Sequence, residues 1–485
     1  MRTIMNIGTD LKANEQAFKD VFQNCSDVKF REIAINDQPK LLMIYTDGMV
    51  DTDIVLSHVL KPLLYNGQPK GLGAMDSIAH MFNRELLPVL ETMRLSDTTA
   101  IAELILKGHL ALLIDGEPHA LLADIQRFEA RSIEEPTEEA TLRGSKESFT
   151  ENLRTNTTMI RRILGTPKLK MESYKIGSLS QTEIVITYIE GKVSTDVLKT
   201  VRERIGKIEL EGILESGYIE ESIEDFHFTP FQQMGNTERP DVVAAELLEG
   251  KVAIITNGSP FVLIAPVTFW GGLQAPDDYY ERFLFVDFSR WIRFMFILFS
   301  VLFPSLYIAL TNYHQEMVPL KLMTTIAMLR EKSPFPTVIE VLLMELMFEG
   351  LREAGIRLPM QIGPLVTVAG ALVIGEAAVR AGIISAPIVI VVAAAGIASF
   401  VIPRYRAGYP LRMLRFPLLV LSGLFGLFGM AVGIIAILIH MIHLSSFGTP
   451  FFSPVAPLAS RRLKDILVRK PRKLVKRSGP EAESS

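Results

Sequence analysis

Apolar residues are spread so unevenly along this chain that its two parts must fold in two different media. Up to about residue 285, charged and apolar residues mix as they do in a water-soluble protein. Between Trp291 and His443, three long apolar runs follow one another. Trp291–Leu310 holds one charge, Arg293; Ile383–Ile402 holds none; Phe416–Ile442 holds only His440 as a strongly polar side chain. A helix crosses the hydrocarbon core of a bilayer with about 20 apolar residues, and each run is that long. A fourth stretch, Ile362–Val379, carries Glu376 and as a helix would cover about 27 Å, just enough to cross. The rival reading, buried helices of a large soluble core, would need three such helices in one short region. The expected architecture is a soluble head followed by an all-α multi-span membrane domain over 286–445, with spans at 291–310, 362–379, 383–402 and 416–442.

Composition narrows the function classes. The net charge of −4 gives no case for nucleic acid. No secretory leader is expected, because the first apolar stretch, Leu41–Tyr45, is too short and lies behind a charged segment. The head is therefore expected on the cytoplasmic side. The single cysteine, Cys25, excludes an internal disulfide and reads as a packing residue.

The head contains an internal repeat. Leu42–Asp53 aligns with Val185–Asp196 at an offset of 143, matching Tyr45 to Tyr188, Gly48 to Gly191 and Asp53 to Asp196. Leu106–Pro118 aligns with Leu248–Pro260 at an offset of 142, matching Gly108 to Gly250 and Gly116 to Gly258. The first block reads as a strand, a turn and a capped helix start. The second reads as a hairpin closed by Asp115–Gly116 or Asn257–Gly258. Its acidic turns lack the glycine density of a phosphate cradle and the spacing of a calcium loop. The fold class is an α/β head of two duplicated subdomains, 30–130 and 173–285, after a variable 1–29 extension.

Between the copies, 131–172 reads as a charged helical linker, helical from Ser145 with an apolar stripe of Phe149, Leu153, Met159, Ile160 and Leu164. It is either a solvated linker or a subunit contact, with Arg143, Glu147, Arg161 and Arg162 as candidate contact residues. In the membrane half, an amphipathic helix at 337–354 gathers Glu345, Glu349, Arg352 and Glu353 on one face and turns Glu340 away. It lies at the interface or in a bundle facing water or a cation. Like charges four apart repel, so Glu345 and Glu349, with Glu376, are candidates for an ion path, Glu345 foremost. Residues 446–485 form a polybasic tail: within 461–477, Arg461, Arg462, Lys464, Arg469, Lys470, Arg472, Lys473, Lys476 and Arg477 face one acid, Asp465. The tail marks the cytoplasmic side and an anionic lipid surface. Arg404, Arg406, Arg412 and Arg415 make the other end of the last span basic too, a conflict that four spans leave open.

Two stretches carry a family likeness. One is Glu135–Pro136 with Arg143–Gly144, Glu147, Phe149–Thr150–Glu151 and Ile160–Arg161–Arg162. The other is Pro334–Phe335–Pro336 with Glu345, Glu349–Gly350–Leu351–Arg352–Glu353–Ala354–Gly355 and Arg357–Leu358–Pro359. Together they resemble the A subunit of spore germinant receptors of the GerA type. The resemblance implies a nutrient-responsive receptor of the spore inner membrane, with a transporter-like B subunit and a lipoprotein C subunit as partners. It also implies self-association into a ring-shaped cation channel. A secondary transporter, an accessory paralogue and a membrane-bound enzyme are the competing readings. No catalytic, cofactor-binding or metal-ligating constellation stands out, so neither enzyme nor cofactor is expected.

Overall fold

The computed structural model describes residues 6–35, 38–60, 92–126, 136, 139, 141, 143–358, 363–458, 466 and 468–469. The first copy opens with helix α1 (Leu11–Val21) and builds a sheet from β1 (Val28–Ile35), β2 (Gln38–Thr46), β3 (Thr92–Leu95), β4 (His109–Ile114) and β5 (Ala120–Asp124), with α2 (Thr98–Ile105) packed on it. The second copy has α3 (Leu153–Ile163), β6 (Leu169–Ile176), β7 (Thr182–Ile189), α4 (Thr195–Ile205), α5 (Ser216–Ile223), β8 (Gly235–Thr237), α6 (Pro240–Leu248), β9 (Val252–Thr256) and β10 (Val262–Ala265).

The strand orders are β1-β2-β4-β5-β3 and β6-β7-β9-β10-β8, the same path twice. Even the register repeats. Leu42 faces Leu113 where Val185 faces Ile255, and Leu110 faces Ala123 where Val252 faces Ala265. A slip of one residue would turn every side chain to the other face, so the two halves present the same faces to their cores. The turn glycines repeat for a physical reason. Gly48 and Gly191 sit at φ 82 and 79, and Gly116 and Gly258 at φ 90 and 88, where a Cβ is disfavoured. Both faces of each sheet are covered: Leu42, Ile44 and Leu113 pack under α1 and α2, while Met43, Leu110 and Leu112 fill the other side.

The repeat reaches further than the sequence blocks. Helices α1 and α3 begin and end at the same offset of 142, and Asn14 and Asn156 lie at equivalent positions in them. Asn14 Oδ1 accepts from Gly8 N and its Nδ2 donates to Gly8 O; Asn156 does the same with Thr150. The helix expected in a linker is thus the opening helix of the second copy. It also starts later than expected. Residues 145–152 are irregular, and Asn152 caps α3 by accepting from the N–H groups of Arg154 and Thr155.

The helical part contains α7 (Phe283–Asn312), α8 (Leu320–Arg330), α9 (Thr337–Arg357), α10 (Gly363–Arg380), α11 (Ala386–Ser399) and α12 (Gly408–His443). Among the described residues, α7 and α12 are the two helices long and apolar enough to cross a membrane; α11 is shorter. Yet α12 is not one rod. At Gly426 the backbone takes φ 60 and ψ −141 and the helix folds back on itself. Gly429 lies against the carbonyl of Leu421, and Gly433 against Leu418, contacts that a straight helix cannot make. The glycine pair four apart serves close packing between the two arms of this hairpin. The single span expected at 416–442 is two arms.

The hairpin is clamped to the head at both ends. Beyond its second arm, Ser446 Oγ donates to Gln233 O at 2.6 Å and accepts from Val267 N at 3.0 Å. Before its first arm, Arg406 lies 3.9 Å from Glu220 and covers the Phe261 ring, and Arg404 lies 3.8 Å from Glu246. The Arg404–Arg415 segment therefore sits at the head-proximal end of the helices. At the opposite end, Thr337 Oγ1 donates to Asn312 Oδ1 at 2.7 Å, and the Tyr313 hydroxyl donates to the carbonyl of Gly423 at 2.7 Å. Among the described residues, the chain thus runs between these two ends six times: in α7, α9, α10, α11 and the two arms of α12.

Candidate functional site

Helix α9 brings its acids against the first arm of α12. Glu345 is fully buried at 0% exposure, and its Oε2 accepts from Arg415 Nη1 at 2.6 Å; Arg415 is 1% exposed. One turn on, Glu349 Oε2 accepts from Arg412 Nη1 at 3.0 Å and its Oε1 from Arg352 Nη1 at 3.3 Å. Arg352 Nη2 also donates to Ser399 Oγ at 2.8 Å, and its guanidinium lies over the Phe400 ring at 4.8 Å. The row of acids that repel one another along α9 is thus held by arginines three apart on α12. In the sequence those arginines read only as charges flanking a span. They enter the bundle because α12 starts at Gly408, well before its apolar run.

The charges are not fully satisfied. Glu345 Oε1 and Arg415 Nε and Nη2 are buried with no protein partner. Taking two ions out of water costs several kcal/mol each, and attraction repays this only when the remaining polar atoms are bonded. Buried polar atoms in proteins are normally satisfied by a protein group, an ordered water or an ion. Glu340 does point away from this row: its Oε2 accepts from Ser385 N at 2.8 Å, at the start of α11.

Glu376 does not join the pair. It stands on the outside of α10 with its side chain 56% exposed; among the described residues its bond is to Arg380 one turn on, at 2.6 Å. The three acids singled out in the sequence are therefore two inside and one outside.

In the head, the four candidate contact residues also separate. Arg161 is fully buried: its Nε and Nη2 bond Asp27 at 2.7 and 2.9 Å, and its Nη1 donates to the carbonyls of Thr166 and Leu169. It ties the second copy to the first and offers no surface to another chain. Arg162 pairs with Glu147, both about one third exposed, and Arg143 is exposed. Of the basic tail, only Arg469 lies among the described residues. It is 8% exposed and donates to the carbonyls of Asp278, Tyr279 and Glu281, so it packs on the start of α7 and does not face lipid. At the junction, burial pushes the Glu220 carboxyl up to about 7, against the pull of Arg406 and with the help of Glu224 and Glu215. Among the described residues, no group of three or more His, Cys, Asp or Glu is placed to hold a metal.

A twice-built α/β head clamped to apolar helices with paired charges inside defines a membrane protein of the head-and-bundle class. The chain belongs to the GerA family of Bacillus/Clostridium spore germination proteins, whose family model matches residues 16–480. It is 42% identical over 467 residues to spore germination protein KA of Bacillus subtilis, covering 96% of this chain and 85% of that one. It is 43% identical over 465 residues to the uncharacterized membrane protein YfkQ of the same organism, covering 96% and 90%. Among solved structures it is similar to the N-terminal domain of the A subunit of the Bacillus megaterium spore germinant receptor GerK3. That match has 32% identity and a TM-score of 0.43, covering 55% of this chain and 98% of that chain.

Proposed function

We propose that this chain is the A subunit of a nutrient-responsive germination receptor in the spore inner membrane, working with a transporter-like B subunit and a lipoprotein C subunit. The observation that carries the reading is the family match across nearly the whole chain. In this reading the helices cross the bilayer six times, with the head and the Arg404–Arg415 segment both cytoplasmic. That arrangement removes the conflict over the basic loop, because arginines gather on the cytoplasmic side.

Copies of the chain assemble into a ring that passes monovalent cations. Glu376, exposed on α10, borders the path between copies, since a passage for cations needs carboxylates facing water. Glu345 and Glu349 stand behind it, holding Arg415 and Arg412 and so tying the path to the hairpin that the head grips. This places Glu376 ahead of Glu345. Arg143, Glu147 and Arg162 stay on the head surface as contacts for a neighbouring subunit. The other cations of the basic tail meet anionic lipid. The test is cation release from spores after a nutrient stimulus, with Glu376→Gln compared with the parent at equal abundance. A second reading, an accessory membrane paralogue of the A subunit, is favoured by the identity to YfkQ; germination by spores lacking this chain, at an unaltered rate for every nutrient, would select it.

A further inference from the structure

We infer that the loop Asp225–Phe231 is a lipid-binding wedge, with Phe228 seated in the head-side boundary of the bilayer. The side chain of Phe228 is fully exposed, at 101%. Isolated exposed apolar residues are ordinary on protein surfaces; this one stands at the tip of a loop held by its own hydrogen bonds. Gln233, 0% exposed, accepts from the N–H groups of Asp225 and Phe226 at 2.9 Å each, and its Nε2 donates to Phe226 O at 2.5 Å. Thr229 Oγ1 accepts from Phe231 N at 3.2 Å. Phe226 and Phe231 turn inward into the junction core with Met441 and Phe452. Only the tip points out.

The depth of that tip is set by the hairpin. Thr229 Oγ1 and His440 Nε2 are 2.9 Å apart, and the Phe226 ring lies 5.6 Å from that of His443. The loop is thus level with the last turn of the second arm. That turn still exposes Ile439 at 63% and Ile442 at 51%, so the apolar face of the arm continues to this level. An aromatic side chain at the boundary of the apolar band gains from leaving water while its loop stays wet. His227, beside the tip and 60% exposed, and the two helix-end histidines supply the polar side of such a boundary.

The inference rests on the proposal that the hairpin spans the bilayer, and the test separates the two. Cys25 is buried, so a cysteine placed at Phe228 labels selectively. Full-length Phe228→Cys, labelled with an environment-sensitive fluorophore, is reconstituted into vesicles of phosphatidylglycerol and phosphatidylethanolamine that contain nitroxide lipids labelled shallow or deep in the acyl chain. Ile435→Cys, midway along the second arm and 56% exposed, reports the membrane core, and Leu179→Cys, on the head at 78%, reports water. The expected result is a blue-shifted emission at position 228, quenched more by the shallow than by the deep nitroxide, with position 435 quenched more by the deep one. Quenching at 435 with a water-like, unquenched signal at 228 would overturn the wedge and leave the spanning hairpin standing. A blue-shifted signal at 228 that no nitroxide quenches would mean a protein partner and would also overturn it. Absence of quenching at both positions would overturn both proposals.

Discussion

Replacing Arg161 by Met removes a charge from the seam between the two copies of the head. Arg161 is 0% exposed and makes two bonds to Asp27, at 2.7 and 2.9 Å, and two to backbone carbonyls, both at 3.1 Å. Its loss leaves the Asp27 carboxylate, 9% exposed, without its counter-ion. Breaking a buried pair from one side costs about 3–5 kcal/mol, most of it the unpaired charge that remains. The double variant Asp27→Asn/Arg161→Met removes both charges, so it should regain more than half of that loss. Denaturant unfolding of the purified full-length chain, followed by tryptophan-independent far-UV signal, reads both. The same variants should leave head-to-head association unaltered at temperatures where they are folded. A loss for Arg161→Met under about 1 kcal/mol, the range of an exposed pair, would refute the reasoning. So would a stable variant that fails only in assembly, because Arg161 would then be a subunit contact after all.

Three further outcomes follow from the same geometry. Gly426→Val should empty the membrane of folded protein, since a β-branched residue at φ 60 is strained and its Cβ would meet Tyr313 Cβ at 2.9 Å; normal abundance on immunoblots of membrane fractions would contradict the hairpin. Glu220 has its carboxyl raised from 4.5 to about 7, so the folded form holds the proton more tightly. The stability contribution is present below about pH 4.5 and lost as pH rises through about 7, a fall of about 3 kcal/mol; thermal unfolding of Glu220→Gln should lack that fall, and an unchanged slope would count against it. Charge reversal at Arg143 or Glu147 should reduce subunit yield in pull-downs from membranes with the head still folded; full yield for both reversals would remove this surface as a contact.

The duplication was legible in the sequence because some of its residues have no substitutes. A turn at φ near 80 or 90 wants glycine, so Gly48, Gly108 and Gly116 recur as Gly191, Gly250 and Gly258. The extent of the repeat was not, because α1 and α3 share a cap and a bracketing asparagine but little else, and charge density around α3 looked like a linker. The hairpin was hidden for another reason. Lipid-facing composition is the same on both sides of a reversal, and Gly426 is one glycine among four between Gly423 and Gly433. The acids of α9 were visible; their partners were not, since Arg415 lies 70 residues from Glu345 and pairing at that distance leaves no periodic trace.

Cation release from nutrient-stimulated spores carrying Glu376→Gln tests the central claim most directly. The side chain is exposed and its pair with Arg380 is an ordinary one-turn contact, worth about 0.3–0.5 kcal/mol, so abundance should not change. The account predicts slower release or altered selectivity among monovalent cations at equal protein level. Glu345→Gln should instead lose protein, and pairing it with Arg415→Gln should restore the protein. Unchanged release at unchanged abundance for Glu376→Gln, Glu349→Gln and the neutralised Glu345/Arg415 pair would contradict any cation path bordered by these acids.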